Sequence, residues 1–556
     1  MFRSLLFVVV CVFMALPSGP AKADGLTEQE TNRIEAVLDE ISVEDAPGVA
    51  IGVVRDGEVV LERYIGLADL SNGIPLGPRT RTNIASNAKQ YVGLMVLDLA
   101  DRGQIDLKAD FRTYLPDALP GVNTAISVEH LLTHTSGVRD IYDLWALTGI
   151  TWYENRLRNR EAMELLNRQT ALNFAPGSAY LYSNSNYILL AEMIEEVSGQ
   201  RFDRYAREFF VRLGMQQTGW KRRYSAVVPN LARAYGNWNG WLEDPAIANL
   251  FGDGFLFTTL RDQIAWEQQL QGAGSELSDT VLAASQVRPN QSLPGQYGFG
   301  LEIGEYRGLR EISHVGSTGG YNAYLRRFPD RNLSVLVIGN TTEIGVVALG
   351  RSLSDAILED QYPVDSDALL GPANLLERPD NGSVTGRYET NFGTIIRIVE
   401  RDGELFREID GRDPVRLLHE RGNLFAYESN SDLKMSFDRT ESGKKRFNIY
   451  FPGQPLTTGT PLPEPVVDAA RLRSLEGRYV NSETDTEIVI EWVEGTSFRM
   501  IKNGRARDAA LVTDEELRWN AYRFRFLREL DGTVKTLLVD NNRIRNVNFA
   551  RVAAED

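Results

Sequence analysis

Apolar and polar positions alternate in two different ways along this chain. In the first part, apolar runs at residues 48–55 and 58–66 flank Asp56-Gly57. That pattern predicts a β-hairpin, because Asp-Gly supplies the positive φ angles of a tight turn. Residues 87–102 predict a helix stopped by Gly103, and Ser127 caps a second, short one. Residues 186–198 predict a third, ended by Gly199, with Tyr187, Leu190, Ala191, Ile194 and Val197 at helical spacing. Residues 324–328 and 333–339 predict two strands around Pro329-Asp330. Strands at both ends with helices between them predict an antiparallel sheet flanked by helices, an α/β sandwich spanning residues 24–365.

Beyond that point helical periodicity fades and short alternating strands take over. Gly386-Arg387-Tyr388 recurs as Gly477-Arg478-Tyr479, and Phe406-Arg407-Glu408-Ile409 recurs as Phe498-Arg499-Met500-Ile501, at offsets of 91 and 92. Leu433, Met435 and Phe437 alternate with polar residues in the first copy, as do Ile488, Ile490 and Trp492 in the second. Half-buried strands at close spacing predict a β-sandwich or small antiparallel barrel per copy, at 384–460 and 471–556, with residues 461–465 as the linker. The expected architecture is therefore multidomain: the α/β sandwich, then two sister β-domains.

The first 23 residues stand apart. Arg3 is followed by an apolar run from Leu5 to Leu16 and by Ala21-Lys22-Ala23, the pattern of a signal peptide with a small-x-small cleavage site. The run is shorter than the roughly 20 residues a membrane-spanning helix needs. The expectation is export to the periplasm or the exterior, with no stable membrane insertion. Cleavage would remove Cys11, the only cysteine, and with it any thiolate nucleophile or disulfide. It would also remove two bases and no acid from a chain of formal charge −16. Such a surface disfavours nucleic acid as a partner.

Candidate chemistry starts at Ser86 and Lys89. The helix that follows is apolar almost all round from Tyr91 onward, as a buried helix is. A lysine in its first turn loses solvation, which pushes its pKa toward neutrality and makes it a candidate base. Ser86 lies three positions earlier on the same face, and its backbone N–H, at a helix start, can serve a developing oxyanion. Ser-x-x-Lys also occurs at Ser431/Lys434 and Ser442/Lys445. The first of these lies on an alternating strand, where the two side chains diverge, and the second lies in a hairpin turn.

Two further stretches carry suitable groups. In Tyr182-Ser183-Asn184 the phenol can shuttle protons, with its pKa lowered if an ammonium is near, and the amide can both donate and accept. In His314-Val315-Gly316-Ser317 the glycine lets substrate backbone lie close, and the Ser317 N–H can complete an oxyanion hole.

Taken in order, IASNAKQ, ISVEHLLTHTSGV, FAPGSAYLYSNSNY, FGDGFLFTT and HVGSTGGY resemble the penicillin-recognising serine hydrolases over roughly residues 46 to 345. That group includes class C β-lactamases, D-alanyl-D-alanine carboxypeptidases, D-aminopeptidases and related esterases. The resemblance implies an acyl-enzyme on Ser86 and proton transfer through Lys89 and Tyr182. It also implies substrate and oxyanion contacts from Asn184, His314, Gly316 and Ser317. The two β-domains make D-aminopeptidases the nearest likeness; that resemblance implies antiparallel β-barrels at 384–460 and 471–556, and in D-aminopeptidases a barrel loop reaches the cleft and limits entry. One departure stands out: His-Val-Gly replaces the Lys-Thr-Gly of β-lactamases and carboxypeptidases. Histidine is mostly neutral above its pKa of about 6.5, which favours substrates lacking a carboxylate there.

His130 and His134 are four apart, but Leu131 stands where a zinc protease would place Glu, so no metal and no cofactor is expected. The expected activity is hydrolysis of small amides or peptides through an acyl-serine, aminopeptidase or amidase action on D-residue substrates first. Carboxylesterase, weak D,D-carboxypeptidase or β-lactamase action is the alternative. A non-catalytic binding or receptor protein is the alternative of another class. A small molecule or short peptide is the expected partner, with a homodimer as a further expectation.

Overall fold

The hairpin forms as β1 (Val49–Arg55) and β2 (Glu58–Ile65), with Asp56 and Gly57 at φ of 51° and 79°. The computed structural model describes residues 25–41, 45–363, 377–391, 393–409, 412–440, 442–450, 456–466 and 468–553. The expected signal peptide, residues 1–23, lies outside the described residues.

Four later strands complete the sheet: β3 (Glu302–Tyr306), β4 (Leu309–Thr318), β5 (Tyr321–Phe328) and β6 (Leu333–Gly339). The order is β3-β4-β5-β6-β1-β2, antiparallel throughout. β1 pairs with β6 from Val49↔Gly339 to Arg55↔Leu333, so the two ends of the domain meet inside one sheet. Seven helices matter here: α1 (Glu28–Asp39), α2 (Lys89–Asp101), α3 (Val128–Leu132), α4 (Ile141–Thr148), α5 (Asn184–Ser198), α6 (Leu260–Gln268) and α7 (Val346–Leu358). On one face α1 and α7 pack Ile34, Leu38 and Leu353 over Ile51, Val53, Val335 and Val337. On the other, α2, α5 and α6 share a second core, in which every residue of α2 from Lys89 to Leu99 is buried.

Local boundaries differ from the sequence expectation in three places. Helix α2 starts at Lys89, because residues Ala85–Ala88 form a separate 3-10 turn. Helix α5 starts two residues early, at Asn184, which is drawn into the first turn by its contacts in the site. The expected linker at 461–465 loses its first two residues to the strand Thr457–Leu462, which closes the first barrel. Pro461 fits there as part of the pairing Tyr388↔Pro461.

The repeat folds as two closed eight-stranded antiparallel barrels among the described residues. Gly386-Arg387-Tyr388 and Gly477-Arg478-Tyr479 open their first strands, and both tyrosines donate to a carbonyl four residues back: Tyr388 to Val384 (2.7 Å) and Tyr479 to Leu475 (2.9 Å). The second barrel docks on the α/β domain. Lys502 Nζ donates to the Ala146 carbonyl near the end of α4 (2.8 Å), and buried Arg139 pairs with Glu483 (2.7 Å). Apolar residues of this barrel and of the α2/α5 face form one continuous core. The first barrel is tied to the second by Glu389, which pairs with Arg518 (2.5 Å) and Arg523 (3.4 Å). No helix among the described residues is long and apolar enough to cross a membrane.

Candidate active site

Ser86 sits in the 3-10 turn that feeds α2. The preceding residue, Ala85, has φ of 47°, a left-handed conformation that a side chain resists. Asn83 holds it there, its side-chain oxygen accepting from the Ala85 N–H at 2.9 Å. Such a stored kink is characteristic of functional turns. It leaves Ser86 half-buried, in a turn packed against β4.

Lys89 is fully buried, and its amine has three neighbours: Ser86 Oγ (3.1 Å), Asn184 Oδ1 (2.9 Å) and the carbonyl of Asp253. Burial lowers its pKa to about 7, opposed by the charge of Asp253 and assisted by that of Arg543. The geometry then fixes the hydrogens. A neutral amine has two N–H groups and one lone pair, and the two carbonyl oxygens can only accept. Both hydrogens go to Asn184 and Asp253, which leaves the lone pair for the Ser86 hydroxyl. The arrangement can therefore take a proton from Ser86.

The groups that hold this amine are themselves held. Asn184 donates from its backbone N–H (2.7 Å) and from Nδ2 (2.9 Å) to Asp140 Oδ2, leaving one Nδ2 hydrogen over. Asp140 is the N-cap of α4, and its other oxygen accepts from the N–H groups of Tyr142 and Asp143. Asp253 accepts from the Tyr142 hydroxyl at 2.6 Å. Burial raises the Asp253 carboxyl to about 6, against the pull of Lys89. Lys89 and Asp253 thus both lean toward their neutral forms.

Tyr182 lies beside the pair, its ring centroid 5.0 Å from Lys89 Nζ and its hydroxyl hydrogen-bonded to Ser86. The sequence expectation of a lowered phenol pKa is corrected here. Burial outweighs the hydrogen bond to Ser86 and the charge of Arg543, so the pKa rises above the ordinary value. Tyr182 stays a phenol, able to relay a proton but not to act as the base. His134 packs against it at a tilt, ring centroids 4.2 Å apart, and is held neutral by burial, its Nδ1 accepting from the Ser183 N–H.

His314 also reaches the site, with both ring nitrogens engaged within the protein. It is 2% exposed; its Nδ1 lies 2.6 Å from the Val315 carbonyl and its Nε2 2.7 Å from the Tyr297 hydroxyl. The Val315 carbonyl can only accept, so Nδ1 carries the hydrogen and Nε2 accepts from Tyr297. Burial lowers its pKa to about 3, with Lys89 adding to the effect. His314 is a neutral brace with both nitrogens in use. Gly316 and Ser317 follow on β4, whose pairing with β3 ends at Ser313 and leaves this stretch as an edge beside the Ser86 turn. At Gly316 an added Cβ would stand 2.2 Å from the Ile84 carbonyl and 3.0 Å from Ser86 N, so only glycine permits that approach.

Asp140, Tyr142, Asp253 and Arg543 escape the sequence reading. Asp140 reads locally as a helix cap, and Asp253 lies in FGDGFLFTT with no partner marked by spacing. Arg543 comes from the second barrel, on the turn between strands Val534–Asn541 and Ile544–Val552. Its guanidinium carbon lies 4.7 Å from the Tyr182 ring centroid. Among the described residues no group of three or more His, Cys, Asp or Glu side chains could hold a metal ion. His130 Nδ1 instead accepts from the Ser127 N–H in a capping box.

A sequence model described as Beta-lactamase matches residues 34–355. The D-aminopeptidase of Brucella canis is 28% identical over 379 residues, 64% of this chain and 70% of that one. The D-aminopeptidase of Cereibacter sphaeroides KD131 is 27% identical over 463 residues, 81% of this chain and 83% of that one. Among solved structures, the octameric penicillin-binding protein homologue from Pyrococcus abyssi superposes with a TM-score of 0.54 at 20% identity, covering 78% of this chain and 99% of that one.

Proposed function

This chain belongs to the Beta-lactamase family, and from that premise we propose that it hydrolyses amides and short peptides of D-residues through an acyl-serine. The observation that carries this is the buried Lys89 amine, 3.1 Å from Ser86 with two carbonyl acceptors occupying its hydrogens. Ser86 Oγ attacks the scissile carbonyl while its proton passes to the Lys89 lone pair. The Ser86 and Ser317 N–H groups hold the oxyanion. The proton then reaches the leaving amine through the Tyr182 phenol, and the C–N bond breaks to give the acyl-enzyme. Water repeats the attack with Lys89 again as base, and Ser86 recovers its proton as the acid leaves. Support for D-residues comes from the two D-aminopeptidases above.

Labelling with a fluorophosphonate tests the nucleophile. Label should attach at Ser86 and vanish in Ser86→Ala with the melting temperature almost unchanged; label that persists in that variant refutes the assignment. D-alanine p-nitroanilide, its L-enantiomer, a p-nitrophenyl ester and a chromogenic cephalosporin then sort the substrate class. We propose in addition that the protein works outside the inner membrane, on the strength of its first 23 residues. Amino-terminal sequencing of the mature protein should begin near Asp24, and an intact Met1 would refute this.

A further inference from the structure

The second barrel places a cation at the mouth of the site. Arg543 is fixed by its backbone: its N–H donates to Asp143 Oδ2 (2.5 Å) and its carbonyl accepts from Asn173 Nδ2 (3.1 Å). From that fixed turn the side chain lies over the Tyr182 ring, 42% exposed. Among the described residues its guanidinium donates no side-chain hydrogen bond, and its one ion pair is a long one, 3.9 Å to Asp140 Oδ2. The neighbouring carboxylates are already spent. Asp140 Oδ2 accepts twice from Asn184 and Oδ1 accepts twice at the start of α4. Asp143 accepts from the hairpin through the Arg543 N–H and, at 3.5 Å, Asn541 Nδ2. A guanidinium offers five N–H donors in a planar fork that matches a carboxylate. Meanwhile His314, on the strand beside Tyr182, is neutral and buried.

We propose that Arg543 binds a free carboxylate on the leaving-group half of the substrate, so that this hydrolase prefers D-peptides with an uncapped C-terminus to their amides. The inference rests on the acyl-serine reading above. The half is chosen because Arg543 lies over Tyr182, the group that hands the proton to the departing amine. A barrel turn thereby supplies the charge that the catalytic domain lacks at His314.

The test compares D-alanyl-D-alanine with D-alanyl-D-alaninamide, with D-alanine p-nitroanilide as the control for hydrolysis itself. The wild-type protein should favour the free acid in kcat/KM by about tenfold or more, the scale of a charge-assisted hydrogen bond. Arg543→Gln should collapse that ratio toward one, Arg543→Lys should keep part of it, and high salt should lower it. If neither dipeptide is cleaved, their Ki values against the anilide carry the same comparison. A wild-type ratio near one, or a ratio that survives in Arg543→Gln with an unchanged melting temperature, overturns the inference while the hydrolase reading stands. No turnover of the anilide together with an unlabelled Ser86 overturns both.

Discussion

The clearest consequence of a buried, neutral Lys89 is a pH dependence with a defined direction. The amine works as a base only when unprotonated, so activity rises with pH through its pKa of about 7. The neutral fraction is then about half at pH 7 and about one part in a hundred at pH 5, so the rate should fall roughly a hundredfold from pH 8 to pH 5. His314 titrates well below this window and Tyr182 above it. Asp253 does fall within it, and because the two groups interact, the measured inflections belong to the pair. Substitution separates them. Asp253 favours the charged amine and Arg543 disfavours it. Asp253→Asn should therefore move the acid limb to lower pH, and Arg543→Gln should move it to higher pH. The assay is the rate of fluorophosphonate labelling from pH 5 to 9 at constant ionic strength, which reports on Ser86 whatever the substrate. A flat profile, or a shift to higher pH in Asp253→Asn or to lower pH in Arg543→Gln, would refute the assignment of Lys89 as the base.

Three other measurements follow from the packing. Gly316→Ala drives a methyl into the Ile84 carbonyl and should cost roughly a hundredfold or more in labelling rate, as loss of an oxyanion donor does; near-normal rates would show that the edge has room to yield. Glu483→Ala takes the counter-charge from Arg139, whose side chain is 1% exposed and keeps only the neutral acceptors Gln169 and the Asn546 carbonyl, and should destabilise by about 3–5 kcal/mol in urea unfolding. A loss under about 1 kcal/mol would mean that the interface relaxes around the charge. Lys89 is less basic folded than unfolded, so between about pH 7 and 10.5 the unfolded chain holds the extra proton and stability rises with pH. Relative to Lys89→Met, the wild-type melting temperature should gain across that window, and a constant difference would contradict the burial of the amine.

What the sequence discloses depends on how local the cause is. Ser86 and Lys89 can be read because one helical turn brings them together and the apolar residues after Tyr91 bury it. The barrels can be read because a duplicated Gly-Arg-Tyr marks the same strand start twice. The direction of the Tyr182 pKa cannot be read that way. It depends on how much protein closes over the ring, and part of that cover arrives from the second barrel. Arg543 is hidden for the same reason: its turn looks like any polar hairpin tip, and only docking turns it into part of a cleft. Removing residues 466–556 to probe the barrel would be a poor experiment, since that half shares its apolar core with α2 and α5. Changing the turn alone is cleaner.

A closed barrel keeps its shape through its ladders of backbone pairing, which ask nothing of the residues at a hairpin tip. The turn at Asn542-Arg543 can therefore exchange its exposed side chains without disturbing the strand pairing of the barrel. That turn is a visor over the cleft, held in place by a scaffold that does not depend on which side chain it carries.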